Sequence, residues 1–235
     1  MLPITVGTWR TESAGPMQVV SGPFGREKVH YVAPPAVKLD HEMEAFVSWF
    51  ESTEQIDLTL KAAVAHLWFV TIHPFDDGNG RIARALSDMM LARSENSGQR
   101  FYGVSAQIQK ERKEYYQYLE STQKGNLDIT QWLVWFLDCL DRAIAGAESL
   151  LAVVLAKAAF WDANLSVALN DRQRLMVNKL FEGFDGKLTT SKWASITKIS
   201  SDTALRDIQD LVEKKILFTC GPGGRGTSYS LSHAT

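Results

Sequence analysis

Residues 58–93 read LTLKAAVAHLWFVTI-HPFDDGNG-RIARALSDMMLAR, and this stretch decides the fold. Leu58 to Ile72 is apolar on nearly every face, which suits a helix at the centre of a bundle. Pro74 stops it, and a second helix is expected from about Asn79 to Arg93. Working outward, His41 to Glu51 carries Met43, Phe46, Val47 and Phe50 at helical spacing. Further helices are expected at about Gln107–Gln123 and from Ile129 to near Trp161, the latter with a break around Gly146. Trp132, Trp135, Phe136 and Leu140 recur at helical spacing, so they read as core, as do Trp161 and Trp193.

The first forty residues follow a different pattern. Met17–Val20 and Lys28–Val32 read as two short strands joined by Ser21–Glu27, and Pro34-Pro35 ends that hairpin. The last third changes again. Arg172–Phe181 is helical, and Thr189-Thr190-Ser191 offers N-cap chemistry for a short helix through Lys198. Ser201-Asp202 would cap a helix over Thr203–Lys214. Ile216–Cys220 and Ser228–Leu231 read as strands around a glycine loop at 221–226. Three helices followed by a hairpin is the layout of a winged helix-turn-helix. The expected fold is therefore mainly α: a helical core with a β-hairpin over residues 1–163, then a small winged helix (α+β) domain over 167–235.

The 235 residues carry 25 Lys+Arg and 27 Asp+Glu, a formal net charge of −2, with 45% hydrophobic and 22% charged residues. That composition excludes disorder, collagen-like repeats and a disulfide scaffold. The charge is uneven. Residues 1–166 hold 15 basic and 20 acidic groups, 15 − 20 = −5, and residues 167–235 hold 10 and 7, 10 − 7 = +3. Two cysteines, Cys139 and Cys220, lie far apart, which fits a reducing, cytoplasmic setting. No signal peptide is read at the N-terminus. Glu148 and Lys157 interrupt the most apolar stretch, Ala143–Trp161, so no membrane partner is expected. His30, His41, His66 and His233 show no zinc spacing with the cysteines.

The chemistry concentrates in His73-Pro74-Phe75-Asp76-Asp77-Gly78-Asn79-Gly80-Arg81-Ile82-Ala83-Arg84. Gly78 and Gly80 permit backbone conformations that turn amide N–H groups toward one point at a helix N-terminus, which makes an anion site. Arg81 and Arg84 are three apart and project from one face of the following helix. Two guanidiniums over an amide nest suit a polyphosphate. Asp77 adds a hard carboxylate, and Mg²⁺ favours one or two carboxylates plus phosphate oxygens. His73 could take a proton from an incoming hydroxyl that then attacks phosphorus. Singly, each piece has a plainer reading: a structural histidine, a Gly-Asn-Gly turn, aspartates that cap a helix, arginines on a solvated face. Twelve ordered positions together favour catalysis.

This stretch resembles the signature of the Fic family, H-x-F-x-[D/E]-G-N-G-R-x-x-R, at every specified position. The likeness extends to Val29-His30-Tyr31-Val32-Ala33-Pro34-Pro35 and to Tyr115-Tyr116, so it spans roughly residues 17–140. It implies a Fic-type helical core that transfers AMP from Mg·ATP to a Ser, Thr or Tyr hydroxyl of a protein. By the resemblance, His73 is the base and Asp77 the metal ligand, Gly78, Asn79 and Gly80 form the anion hole, and Arg81 and Arg84 hold phosphates. The hairpin over about 17–32 corresponds to the family's flap, where a target protein docks by strand addition. Tyr115, Tyr116 and Gln123 fall where related proteins line the nucleotide base, with Gln123 replacing a frequent Asn.

Many relatives carry an inhibitory helix, [S/T]-x-x-x-E-[G/N]. Here Glu95-Asn96 follows Leu91 and Glu182-Gly183 follows Asn178, so neither fits. The chain also begins close to the flap. The expectation is that inhibition is absent from this sequence, supplied by a separate partner or lost by truncation. In the winged helix, the recognition helix would present Asp202, Thr203, Arg206, Gln209 and Asp210, with Lys192, Lys198, Lys214, Lys215 and Arg225 available to DNA. The competing role for this module is dimerisation, with a second copy as partner, or target docking. Two rival functions stand beside adenylyl transfer: Fic-type transfer of another phosphate-containing group, and a DNA-binding regulator whose Fic core senses nucleotide.

Overall fold

The structure is a computed structural model that describes all residues except 1–5, 14, 24, 54, 222–226 and 233–235. It is mainly helical, with two small antiparallel sheets, and divides into two compact units, Met1–Ala147 and Glu148–Thr235.

The first unit opens with strands β1 (Gln18–Ser21) and β2 (Lys28–Val32), paired antiparallel with Val19 opposite Tyr31 and an irregularity between Val19 and Val20. A single 3₁₀ turn, Ala36–Lys38, leads into α1 (Leu39–Glu51). Then come α2 (Leu58–Ile72), α3 (Asn79–Ser94), α4 (Val104–Lys110) and α5 (Arg112–Gln123). Helix α6 runs from Thr130 to Ala163.

Helix α2 is the axis of this unit. Asp57 caps it by accepting from the amides of Thr59 and Leu60. Ala62, Ala63 and Ala65 are fully buried and small enough for α3 to approach closely through Ala83. On another side, Trp132 of α6 donates its indole N–H to the Ala63 carbonyl at 2.8 Å. Phe46 of α1 packs edge-on against Trp68 and Phe69. Buried Lys61 donates to the Ser52 carbonyl at 2.8 Å and lies over the Trp49 ring, so its charge is compensated.

Two expectations for this region are corrected. The segment Gln107–Gln123 is two helices, because Glu111 leaves helical geometry at φ −100°, ψ 25°. Its carboxylate accepts both Nε and Nη2 of Arg142 from α6, at 2.6 and 2.7 Å. The tertiary pairing fixes the side chain where the backbone turns. Gly146 does not break α6, which continues unbroken to Ala163. By length and composition α6 is apolar enough to cross a membrane, but Trp132, Trp135, Phe136, Cys139 and Leu140 in its first half belong to the buried core of the first unit.

The second unit holds α7 (Asp171–Phe181), α8 (Thr190–Thr197), α9 (Ser201–Glu213) and the strands β3 (Leu217–Cys220) and β4 (Ser228–Leu231). Leu188 bridges Tyr229 beside that pair. Asn170 and Gln173 form a reciprocal capping box for α7. Thr189 caps α8 as expected, whereas α9 is capped by Ser200, one residue before the expected Ser201-Asp202. Trp193 is fully buried; Trp161 is only partly so and donates to Asn178 Oδ1 at 3.1 Å. The core gathers Met176, Val177, Leu188, Trp193, Ile208 and Leu211. Most of the glycine loop at 221–226, with Arg225, lies outside the described residues, as does His233.

Candidate active site

The junction between α2 and α3 is where the sequence motif folds. Helix α2 ends at Ile72, and His73 is its C-cap in the left-handed region, φ 52°, ψ 56°. A non-glycine residue there carries backbone strain unless its surroundings hold it. Its amide donates to the Phe69 carbonyl at 3.0 Å and its ring Nδ1 lies 3.3 Å from the Val70 carbonyl. A carbonyl can only accept, so Nδ1 carries the proton and Nε2 keeps its lone pair. Burial holds the imidazole below its ordinary pKa of 6.5, with the Arg10 guanidinium acting in the same direction and the Val70 hydrogen bond opposing. His73 is thus neutral at pH 7, with Nε2 able to accept a proton.

Helix α3 begins at the other end of the loop. Gly78 is its N-cap at φ 88°, a left-handed conformation that favours glycine. The amides of Asn79 and Gly80, in the first turn, have no intrahelical carbonyl to bond. Asn79 is 2% exposed, and its side chain closes the loop: Oδ1 accepts from the Phe75 amide at 3.0 Å and Nδ2 donates to the Phe75 carbonyl at 2.7 Å. Phe75 anchors the loop against Trp9 and Phe69. Asp77 and Arg81 are mostly exposed and pair with each other, Nη2 to Oδ2 at 2.9 Å, while Asp77 Oδ1 accepts from the Gly78 amide.

A cleft of about 770 Å³ opens beside the motif. Its wall includes His73, Gly80 and Arg84 from the motif, Val20 and His30 from the hairpin, and Tyr116 and Gln123 from α5. Arg84 is half-buried and, among the described residues, has no hydrogen-bond or ion-pair partner. The hairpin is fastened to α5 across this cleft. His30 Nδ1 donates to Glu120 at 2.6 Å, and its Nε2 is 2.6 Å from the Ser21 hydroxyl. Lys124 first, then His30, hold the Glu120 carboxyl down at about 2.

The three residues expected near a nucleotide base are placed differently from one another. Tyr115 is buried, and its hydroxyl lies 3.0 Å from His66 Nε2 in the core; burial pushes that phenol up. Fully buried His66 completes a polar chain, with Nδ1 3.1 Å from Ser87 Oγ, and burial lowers its pKa to about 3. Tyr116 is half-exposed, with the Arg112 guanidinium over its ring. Gln123 donates to the Thr71 hydroxyl at 3.2 Å. The cleft thus brings His73, Gly80, Arg84, Tyr115, Tyr116 and Gln123 together in its lining, whereas Asp77 and Arg81 stand on the exposed side of the loop.

The chain is similar to known proteins. A family model described as the Fic/DOC family matches residues 3–91. A protein adenylyltransferase Fic from Aedes aegypti is 34% identical over 131 residues, which is 54% of this chain and 25% of that protein. One from Nematostella vectensis is 35% identical over 116 residues, 48% of this chain and 25% of that protein. The chain thus spans about a quarter of the length of these curated relatives. The crystal structure of a Fic family protein from Desulfovibrio desulfuricans G20 aligns at a TM-score of 0.49 and 20% identity, covering 97% of this chain and 63% of that one. The matched residues 3–91 carry the hairpin and the whole His73–Arg84 motif, and over them the chain is similar to the Fic/DOC family.

Proposed function

We propose that this chain is a protein adenylyltransferase that moves AMP from Mg·ATP to a hydroxyl of a target protein. The observation that carries this reading is Arg84, a half-buried cation that has no hydrogen-bond or ion-pair partner among the described residues and lines the same cleft as His73. An unpaired guanidinium beside free first-turn amides calls for a polyanion. In the proposed reaction His73 Nε2 takes the proton of the target hydroxyl, whose oxygen attacks the α-phosphorus of ATP. The bond from that phosphorus to the bridging oxygen breaks, and pyrophosphate leaves. The amides of Asn79 and Gly80 would stabilise the charge developing on the α-phosphate, and Arg84, joined by Arg81, would hold the departing phosphates. The proton on Nδ1, held by the Val70 carbonyl, keeps Nε2 as the accepting atom throughout.

The donor set fits one magnesium ion that arrives with the nucleotide. Asp77 is a single exposed carboxylate, and Mg²⁺ bound through one carboxylate completes its shell from phosphate oxygens and water. Asp77 would hold it once Arg81 turns toward the phosphates, and the ion would neutralise charge on the polyphosphate.

The test is intact-mass analysis of protein incubated with Mg·ATP and a panel of acceptor proteins, itself included. Addition of one AMP moiety to an acceptor supports the reading, and addition of a single phosphate would overturn it in favour of another group transfer. For the second unit we propose a winged helix-turn-helix, supported by the order α7-α8-α9-β3-β4. Two of its lysines are engaged internally, Lys192 with the Asp185 carbonyl and Lys214 with Ala168 and Asp210. That disfavours an extensive phosphate contact and favours docking of protein, which a gel-shift titration in duplex DNA at low and moderate salt would check.

A further inference from the structure

Arg10 plays no part in the sequence motif, yet it is 3% exposed and bound to the backbone on which the base residue sits. Its Nε donates to the His73 carbonyl at 2.7 Å, and its Nη2 donates to the Pro34 carbonyl at 2.6 Å, with the Ile72 carbonyl at 3.5 Å. Its own amide donates to the Pro74 carbonyl at 2.9 Å. One residue therefore meets three successive carbonyls, 72 to 74, at the end of α2. It also reaches the segment that follows β2.

The last carbonyls of a helix have no intrahelical donor, and leaving them buried and unpaired is costly. At the end of α2 each has been assigned one. The Val70 carbonyl takes the His73 ring, the Thr71 carbonyl takes the Tyr31 hydroxyl at 2.9 Å, and the Ile72 carbonyl takes Arg10. A cation at a helix C-terminus is also favoured by the helix dipole. The arrangement has a further consequence at His73, whose left-handed backbone needs external support. Arg10 supplies it on that residue's own carbonyl. Its Nη1 is buried with no hydrogen-bond partner among the described residues, a cost retained at a position where the rest of the guanidinium is fully committed.

We propose that Arg10 is a positioning residue for the reaction: by gripping the carbonyls of Pro34, Ile72 and His73 it sets the direction of the base and locks the hairpin's exit to the catalytic loop. Its charge has a second effect, since a nearby cation disfavours the imidazolium and keeps His73 ready to accept a proton. The other charged groups on the cleft wall are Arg84 of α3, Arg112, Lys113 and Glu120 of α5, and His30 of the hairpin, with three tyrosines beside them. Arg10 itself also faces Glu12, Asp76 and Tyr31. The inference rests on the reading of His73 as the base.

The test compares wild type, His73→Ala, Arg10→Gln and Arg10→Lys in Mg·ATP, with rates normalised to the fraction of protein that binds ATP. His73→Ala comes first: if it keeps its activity, the reading of the base is wrong, and the Arg10 proposal falls with it. With that variant inactive, Arg10→Gln is expected to lose kcat by about tenfold to a hundredfold, as a misplaced catalytic group does, with KM for ATP nearly unchanged. Its acid limb in the pH profile of kcat/KM should move to higher pH, because removing the cation raises the His73 pKa. Arg10→Lys keeps the charge but cannot fork between carbonyls, so it should lose kcat while its acid limb stays in place. If Arg10→Gln fails to fold, Arg10→Lys decides alone. Wild-type kcat in either folded variant, or an acid limb that moves equally in both, would overturn the proposal.

Discussion

At the His73 end of the motif, carbonyls 70 to 74 each meet a donor, the imidazole has one tautomer, and the backbone strain is braced. At the other end, only four residues away, Asp77 and Arg81 face solvent and pair with each other, and among the described residues Arg84 has no hydrogen-bond or ion-pair partner. On the proposed reading, the difference separates what must be rigid before substrate arrives from what substrate completes. A base has to be aimed in advance, because its lone pair must meet one proton. On the proposed reading, Asp77 and Arg81 would stay paired in solvent, where an exposed pair costs little, until a polyanion enters.

Three variants would break or sharpen this contrast. The largest loss of stability is expected for Asn79→Ala, which strips the Phe75 amide and carbonyl of their buried partners. It should cost about 2–4 kcal/mol of unfolding free energy in urea titrations, with transfer activity falling alongside. Next comes the buried His66–Tyr115–Ser87 chain behind the cleft. His66 is neutral in the fold down to about pH 3 but titrates near 6.5 when unfolded. As pH falls from 6.5 toward 3 the unfolded state takes up a proton that the fold refuses, so stability drops by up to about 1.4 kcal/mol per pH unit. Chemical denaturation of His66→Gln across that range should show a shallower decline than wild type; parallel curves would contradict the buried neutral histidine. Asp77→Asn should move the unfolding midpoint least, by less than about 0.5 kcal/mol as exposed pairs do, while lowering Mg-dependent transfer. A strongly destabilised Asp77→Asn would show that the open end is as structural as the closed one.

Much of this was legible from residue order. The helix over 58–72 follows from its apolar run and Pro74, and the start of α3 from Gly78, because both signals are local. The hairpin strands likewise sit where β-forming residues flank a glycine-rich turn. The break at Glu111 was not legible, since it depends on Arg142, thirty-one residues away. Nor was the continuity of α6 through Gly146, because a glycine costs a helix only about 1 kcal/mol and the neighbouring turns carry it. Within the site, the motif marked the loop between α2 and α3, but spacing could not show that the Tyr115 hydroxyl turns into the core or that Gln123 bonds Thr71. Arg10 gave no signal at all. A single arginine in a Gly- and Pro-rich segment has no periodicity, and its importance lies in carbonyls that only the folded chain brings together.

The most direct test of the central claim is transfer from ATP labelled at either the α- or the γ-phosphate, in wild type and in His73→Ala. An acceptor protein is expected to retain label from the α-position only. His73→Ala is expected to lower this transfer by at least about a hundredfold, as loss of a general base does, without losing ATP binding. Retention of the γ-label, or equal α-labelling by the variant, would contradict that claim.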